Sequence, residues 1–462
     1  MNVARPTTEL KQILWDSCGA RAGLFFSKPG FVRNALLVSA LTVAVKVIGA
    51  AKIAISAKVL GTGDELDSYL VAFLVPSILS DVLAGSLTPA LMPVLAKETD
   101  HQTGGSGANR VFFLECLGVF GIAMLIAAST ASWVLPGIAH GFSSYKLQFT
   151  RSLLLLMVPM VPLSGLSAVW RAILNHQGRF ALSAGSPLVT PLLASTFLLG
   201  TNGRGVHALA LGTVLGAAAE ASLLGAGLVL TGASILPRIR PDFSMRRWLS
   251  SGYLPVLVAS VIGAGSSVID QTIAASLGTG SVSVLNLGTR LVTVLVAIGP
   301  ASMATVVMPR FSKLVADGDR VRLRHLAGVS TLVGMLFMIP VTMVGIWSSK
   351  PLAELAFARG TGVPDPIGVI ATVQALSFLQ LPFVMGTAVL SRLLISAHKT
   401  RQLLLISASA LVLKVGIGLS LAYVMGIEGL SLSMSFVQLV VFLMTVPIAL
   451  RGLRQSRHSG DS

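Results

Sequence analysis

Long apolar runs alternate with short polar breaks along almost the whole chain. Between breaks rich in charge, glycine or proline lie apolar segments at 34–57, 66–92, 111–134, 153–173, 184–199 and 206–230. A second set follows at 253–275, 284–308, 326–347, 367–391, 403–424 and 429–450. A helix rises 1.5 Å per residue, so about twenty residues cross a hydrocarbon core of roughly 30 Å. The pattern therefore predicts twelve membrane-spanning helices. The fifth is short and interrupted by Pro187 and Pro191, yet removing it would reverse the sidedness of every later loop.

Composition agrees with this. Only 11% of the 462 residues are charged and mean hydropathy is +0.82, against about a quarter charged in soluble domains. A net charge of +16 would suit nucleic acid, but the cations sit in short loops between apolar runs and form no single basic face, so topology explains them. Short cytoplasmic loops of membrane proteins carry an excess of Lys and Arg. With the N-terminus inside, the cytoplasmic segments hold 24 of the 34 Lys and Arg, and the opposite loops hold six: Lys58, Lys146, Arg151, Arg204, Lys350 and Arg359. This fourfold bias places both termini in the cytoplasm. The first thirty residues lack the pattern of a cleaved signal peptide. They are expected to form a cytoplasmic tail with a short amphipathic helix near Leu10 to Trp15. Cys18 and Cys116 are far apart and outside any metal-ligand spacing, so neither a disulfide framework nor a zinc site is expected.

The halves repeat. LGTG at Leu60–Gly63 leads to Met92-Pro93, and LGTG at Leu277–Gly280 leads to Met308-Pro309, at nearly the same distance. Six spans separate the copies, so both halves face the same way, as in transporters built from parallel repeats with the substrate between them. The expected architecture is an all-α polytopic membrane protein: a tail at 1–33, a six-helix lobe at 34–234, a basic linker at 235–250 containing PRIRPDFSMRRW, a second six-helix lobe at 251–450, and a tail at 451–462.

Four cations fall well inside spans, away from their ends: Lys46 and Lys52 in the first, Arg290 in the eighth and Lys414 in the eleventh. Each costs roughly 2.5–3.5 kcal/mol at mid-helix, so such residues usually face a cavity or a partner. Acidic candidates are Asp81, Glu115, Glu220 and Asp270, which leaves the interior biased positive and suited to an anionic substrate. Lys46, Lys52 and Lys58 recur every six residues. On one reading they border a wide cavity; on the other Lys58 and part of Lys52 reach the interface while Lys46 pairs with an acid. Arg290 offers phosphate a permanent, bidentate fork, or anchors the helix at the interface. Lys414 is a candidate partner of Glu220. Asp270 is expected to pair with Lys46, or alternatively to carry a coupling proton or Na⁺. The sequence contains no GxxxxGK[ST], HExxH or GxSxG motif and no His cluster. A transporter driven by an ion gradient or the membrane potential is therefore expected, not an enzyme, and no cofactor is implied.

The segment KVIGAAKIAISAKVLGTGDELDSYLVAFLVPSILSDVLAGSLTPALMPVLAKE, from Lys46 to Glu98, resembles the opening of the MurJ/MviN lipid II flippase family, within the multidrug/oligosaccharidyl-lipid/polysaccharide exporter superfamily. The likeness continues at AILNHQGRFALSAGSP (172–187), IDQTIAASLGTGSVSVLNLGTRL (269–291) and ELAFARGTG (354–362). The resemblance implies a V-shaped pair of lobes around a cationic cavity that takes the head group of an undecaprenyl-pyrophosphate-linked saccharide in the bacterial inner membrane. In that family arginines at the places of Lys46, Lys52 and Arg290 are functional, and an aspartate stands at the place of Asp67. The chain departs from the pattern at Ser80-Asp81, where the family has a basic pair, and at Ala84-Gly85, where it has an acid. It also ends after the twelfth span, whereas many members have two more. Lipid II and an exopolysaccharide repeat unit are thus both open as cargo. Membrane lipids and glycan-synthesis enzymes are the expected partners, and nucleic acid is not. The competing classes are a cation-coupled multidrug exporter and a transport-inactive scaffold.

Overall fold

The computed structural model describes residues 29–96, 106–200, 205–232, 235–236, 253–357, 366–397 and 400–452. The expected helix at 10–15, most of the basic linker and the C-terminal tail lie outside them. Every regular element among the described residues is helical, because only helices and closed barrels satisfy all backbone hydrogen bonds inside a bilayer.

The first half contains α1 (Pro29–Leu60), α2 (Asp64–Ala96), α3 (Ser106–Ile138), α4 (Ser144–Met157), α5 (Met160–His176), α6 (Phe180–Gly185), α7 (Val189–Gly200) and α8 (Gly205–Leu230). The second contains α9 (Leu254–Ser276), α10 (Ser281–Ala316), α11 (Arg320–Phe357), α12 (Pro366–Phe378), α13 (Leu381–Ser396) and α14 (Thr400–Gly452). Several of these pieces make single spans: α4 continues into α5 over Ser144–His176, α6 into α7 over Phe180–Gly200, and α12 into α13 over Ile367–Ser396. Pro159, Pro187 and Pro382 stand at these joints, where a missing N–H breaks the ladder.

The 53-residue α14 is two spans, not one. Gly426 has φ 63° and ψ −138°, a conformation open essentially to glycine. A Cβ on Gly418 would lie 3.8 Å from both Leu430 and Ser433, so the chain reverses at Gly426 with almost no loop. Counted this way, the described helices make twelve crossings, in the order and at the places the apolar runs predict.

Packing divides the molecule along its long axis. At the end carrying the LGTG turns, one apolar core runs through both halves, joining Leu66, Tyr69 and Leu153 to Ala274, Val282 and Leu285. At the opposite end there are two cores. One is built from Leu87, Leu91, Phe120 and Leu174 of the first half, and the other from Phe311, Leu323, Leu393 and Val441 of the second. Tyr253, at the start of α9, leans on the first of these and donates a hydrogen bond to the Leu83 carbonyl at 3.0 Å. The halves thus converge at the LGTG end and separate toward the other. Trp133, Tyr145, Trp347 and Tyr423 are all strongly exposed at the convergent end, where an aromatic belt marks a membrane–water boundary.

Candidate functional site: inter-lobe latch and cation sites

Asp67 holds the convergent end together. It lies on the first turns of α2, is fully buried, and receives hydrogen bonds from the Gly280 N–H (2.6 Å), the Ser283 N–H (2.9 Å), the Ser283 hydroxyl (2.6 Å) and Lys146 Nζ (3.3 Å). Helix α10 begins after Gly280, which has no side chain to cap its own free N–H groups. Asp67 supplies that cap from the other half of the protein, with its charge set against the positive end of the helix. Lys146 completes the cluster. It also pairs with Asp64 at 2.7 Å and lies 3.8 Å over the Phe142 ring. Gly280 has φ 86°, and a Cβ there would stand 2.9 Å from the Thr62 carbonyl, so the two LGTG turns touch each other across the lobes.

Toward the middle of the molecule, Arg290 on α10 reaches the first half. A Cβ on Gly49 of α1 would lie 3.1 Å from Arg290 Nη2. Lys46 and Lys52 stand three residues to either side of Gly49, so the cations of helices from both halves lie at nearly one level. Lys46 is exposed and within electrostatic range of Asp81, as is Arg171. Arg290 Nε is buried with no hydrogen-bond partner among the described residues.

Lys52 departs from the expectation of a cavity ligand. Its ammonium turns into the first half, donates to the Tyr69 hydroxyl at 2.9 Å and sits 4.9 Å from the Phe73 ring centroid. Tyr69 in turn is 3.0 Å from the Thr213 hydroxyl. The side chain is 8% exposed and has no carboxylate partner among the described residues; aromatic faces and hydroxyls hold the charge instead. Lys58 is exposed in the last turn of α1, away from the level of Arg290, so the three lysines do not line one cavity.

The two acidic pairings also differ from expectation. Asp270 binds Lys414, not Lys46, at 2.6 Å, and Lys414 donates to the Ser266 hydroxyl at 2.6 Å as well. Glu220 accepts from Thr190 at 3.0 Å and pairs with Arg171 at 3.7 Å, not with Lys414. Both acids find their cation within their own half, where short helix-to-helix distances beat any partner across the cleft, although Asp270 Oδ1 is buried without a hydrogen-bond partner among the described residues. The Asp270–Lys414 pair faces a cavity of about 700 Å³ inside the second half, which Arg290 also lines. Among the described residues no group of His, Cys, Asp and Glu is arranged to hold a metal.

The chain as a whole is similar to known proteins. A family model described as "Lipid II flippase MurJ" matches residues 56–458. The chain belongs to the MurJ lipid II flippase family. Among MurJ relatives, the lipid II flippase of Burkholderia cenocepacia is 24% identical over 355 residues, covering 74% of this chain and 69% of that one. A probable lipid II flippase of Helicobacter pylori is 26% identical over 415 residues, covering 84% and 88%. A solved MurJ structure in an inward closed conformation superposes with a TM-score of 0.75 at 17% identity, over 90% of this chain and 89% of that one. An inward-facing multidrug resistance MATE transporter superposes at 0.69 with 15% identity, over 90% and 99%. At such identities the two structures establish the fold alone. The chain is therefore a multi-pass membrane protein of the MurJ fold.

Sequence reasoning missed two residues of this arrangement. Lys146 reads as a loop cation but is 7% exposed and clamps Asp64 and Asp67. Arg171, at the cytoplasmic end of the span at 153–173, counts there with the cytoplasmic cations but is partly buried and pairs with Glu220 at 3.7 Å. The signal for the first was the acidic cluster Asp64, Glu65 and Asp67, which demands a cation on the side of the membrane where few are available.

Proposed function

We propose that the protein is a flippase that moves a polyprenyl-pyrophosphate-linked saccharide, lipid II or a related glycan carrier, across the bacterial cytoplasmic membrane by alternating access. The observation that carries this reading is the approach of Arg290 to Gly49 between the turns bearing Lys46 and Lys52. Cations from both halves at one level suit a pyrophosphate, which guanidinium grips bidentately and ammonium attracts as a point charge. In this role Lys46 and Arg290 contact the phosphates, and Lys52 contributes positive potential from behind the cavity wall. Asp67 and Lys146 position the lobes, while Lys58 serves the interface.

With both termini in the cytoplasm, as the loop charges suggest, the LGTG end faces outward. The shared core then closes the outer side, and the divergent end opens toward the cytoplasm, where a lipid-linked precursor is assembled. Residues 34–234 and 251–450 act as the moving lobes and 235–250 as their connection. An ion gradient of Na⁺ or H⁺, or the membrane potential, drives the cycle, and the chain acts as a transporter with no catalytic step of its own. Its partners are the lipid-linked glycan, the surrounding lipids and glycan-synthesis enzymes.

The test is transport in cells or proteoliposomes carrying Lys46→Glu or Arg290→Glu. Loss of translocation with unchanged protein level in the membrane is expected. Full activity in both variants would overturn the assignment.

A further inference from the structure

An acid stands among the cations of the first half. Asp81 lies within the α2 span, between the buried residues Ser80 and Val82. Its own side chain is open to solvent although protein surrounds it on most sides, the position of a residue that lines a cleft. Lys46 of α1, itself exposed, and Arg171 of α5 are the cations that act on it. Neither closes a direct salt bridge with it: among the described residues Arg171 pairs with Glu220, and the other direct pairs belong to Lys146, Arg322 and Lys414.

A carboxylate inside a spanning segment either pairs closely or faces a water-filled cavity. Glu220 takes the first course, accepting from Thr190 at 3.0 Å and holding Arg171 Nη1 at 3.7 Å. Asp81 takes the second. Arg171 joins the two acids: its Nε donates to the Ser167 carbonyl at 3.3 Å, its Nη1 turns to Glu220, and its charge still reaches Asp81. Charge therefore alternates in sign from the cleft into the first half, through Lys46, Asp81, Arg171 and Glu220, on four different helices. Gly85 follows Asp81 by one helical turn on the same face. It is exposed, and a Cβ there would meet nothing within 4 Å, so the carboxylate has room to turn aside.

We infer that Asp81 is a built-in counter-anion: its carboxylate neutralises Lys46 and Arg171 in the empty cleft, and the diphosphate of the cargo displaces it from them. The inference rests on the flippase reading above. A lipid-linked diphosphate brings negative charge on each phosphate, which outcompetes one loosely held carboxylate for the same cations. Displacement deprives Asp81 of its partners and leaves a like charge beside the bound anion, so the complex is weaker than the cations alone would make it. A transporter gains from this, since departure of the cargo is a step of its cycle. As the diphosphate leaves, the carboxylate returns to Lys46 and Arg171, and the emptied cleft is not left with unbalanced positive charge.

The test measures binding of a polyprenyl diphosphate carrying a disaccharide to the purified full-length protein, and its translocation in proteoliposomes. Asp81→Asn keeps the shape and removes the charge; it should tighten binding roughly tenfold and slow translocation at saturating lipid several-fold. Asp81→Glu keeps the charge and should stay within about twofold of the native protein in both. Glu115→Gln, which removes the same charge from an exposed position on α3, should also change affinity less than about twofold, so net charge alone does not account for the gain. A variant that packs badly loses affinity, so the sign of the change separates a counter-anion from a residue that only positions Lys46. Weaker or unchanged binding in Asp81→Asn, or tighter binding with undiminished translocation, would overturn the inference while leaving the flippase reading intact. Absence of binding to the native protein would overturn both.

Discussion

The Asp67 carboxylate accepts the Ser283 backbone N–H at 2.9 Å across 216 residues of sequence and across the boundary between the two halves. A helix in one half is therefore capped by the other half, so the cap exists only while the LGTG end is closed. Asp67→Ala leaves Lys146 buried with Asp64 alone and frees the first turn of α10. Breaking a buried charge pair of this sort costs about 3–5 kcal/mol, here charged to the closed arrangement. In a background without cysteine, bismaleimide cross-linking between Thr62→Cys and Ser281→Cys should fall several-fold on adding Asp67→Ala, and less with Asp67→Asn, which keeps one acceptor oxygen. Unchanged cross-linking would show that the latch does not hold the lobes.

The two LGTG turns make different demands on their glycines. Gly61 and Gly278, the first glycine of each copy, both have positive φ (75° and 112°) and open space where a Cβ would go. Gly280 has positive φ and the Thr62 carbonyl in the way. Gly61→Asn should be tolerated within about 1 kcal/mol, because Asn enters the left-handed region readily. Gly280→Asn should cost distinctly more and weaken the latch as well. Thermal unfolding of the two variants in the same detergent, read side by side, checks the order.

The Asp270–Lys414 pair should show strong coupling. Replacing either residue alone leaves a buried charge, at a cost of about 3–5 kcal/mol, whereas replacing both with apolar residues of similar size is often nearly neutral. Asp270→Leu and Lys414→Met should each destabilise, and the double variant should recover most of the loss. A double-mutant cycle on melting temperature measures this; additive losses would mean that the contact is not a working ion pair.

Tyr69 distinguishes the structural cation from those that face substrate. Tyr69→Phe removes the hydroxyl that joins Lys52 to Thr213 and should cost about 1–3 kcal/mol through the unsatisfied ammonium. Affinity for a polyprenyl pyrophosphate should change little. Arg290→Gln should do the reverse, lowering affinity at least tenfold with little effect on melting. Parallel binding and unfolding measurements separate the two cases.

Much of this molecule can be read from its sequence because the bilayer imposes a coarse rule. Helices must be long and apolar, so the runs at 34–57 and 66–92 appear as α1 (Pro29–Leu60) and α2 (Asp64–Ala96), extended by a few residues at each end. The LGTG repeat likewise marked both halves, since each copy is the turn between the first two helices of a half. Side-chain partnership was harder to read. Asp270 finds Lys414, 144 residues away, because α9 and α14 pack inside one half, and nothing in linear spacing distinguishes that cation from Lys46. Lys52 looked like a cavity ligand because a lysine in a span without a nearby acid calls for water or an anion, yet Tyr69 and Phe73 supply the alternative. Those aromatic residues were invisible as partners, for a tyrosine in an apolar run reads as core.

The single core at the convergent end and the paired cores at the other end have an energetic implication. Opening the LGTG end to water would expose apolar surface at about 25 cal/mol per Å², so several hundred Å² would amount to many kcal/mol. No substrate binding energy need supply this if the two distant cores fuse as the shared one splits. The protein then behaves as a balance beam loaded with equal oil on both arms, on which a small differential affinity tips the population. Such a balance predicts little net change in heat capacity between the two states, despite a large movement.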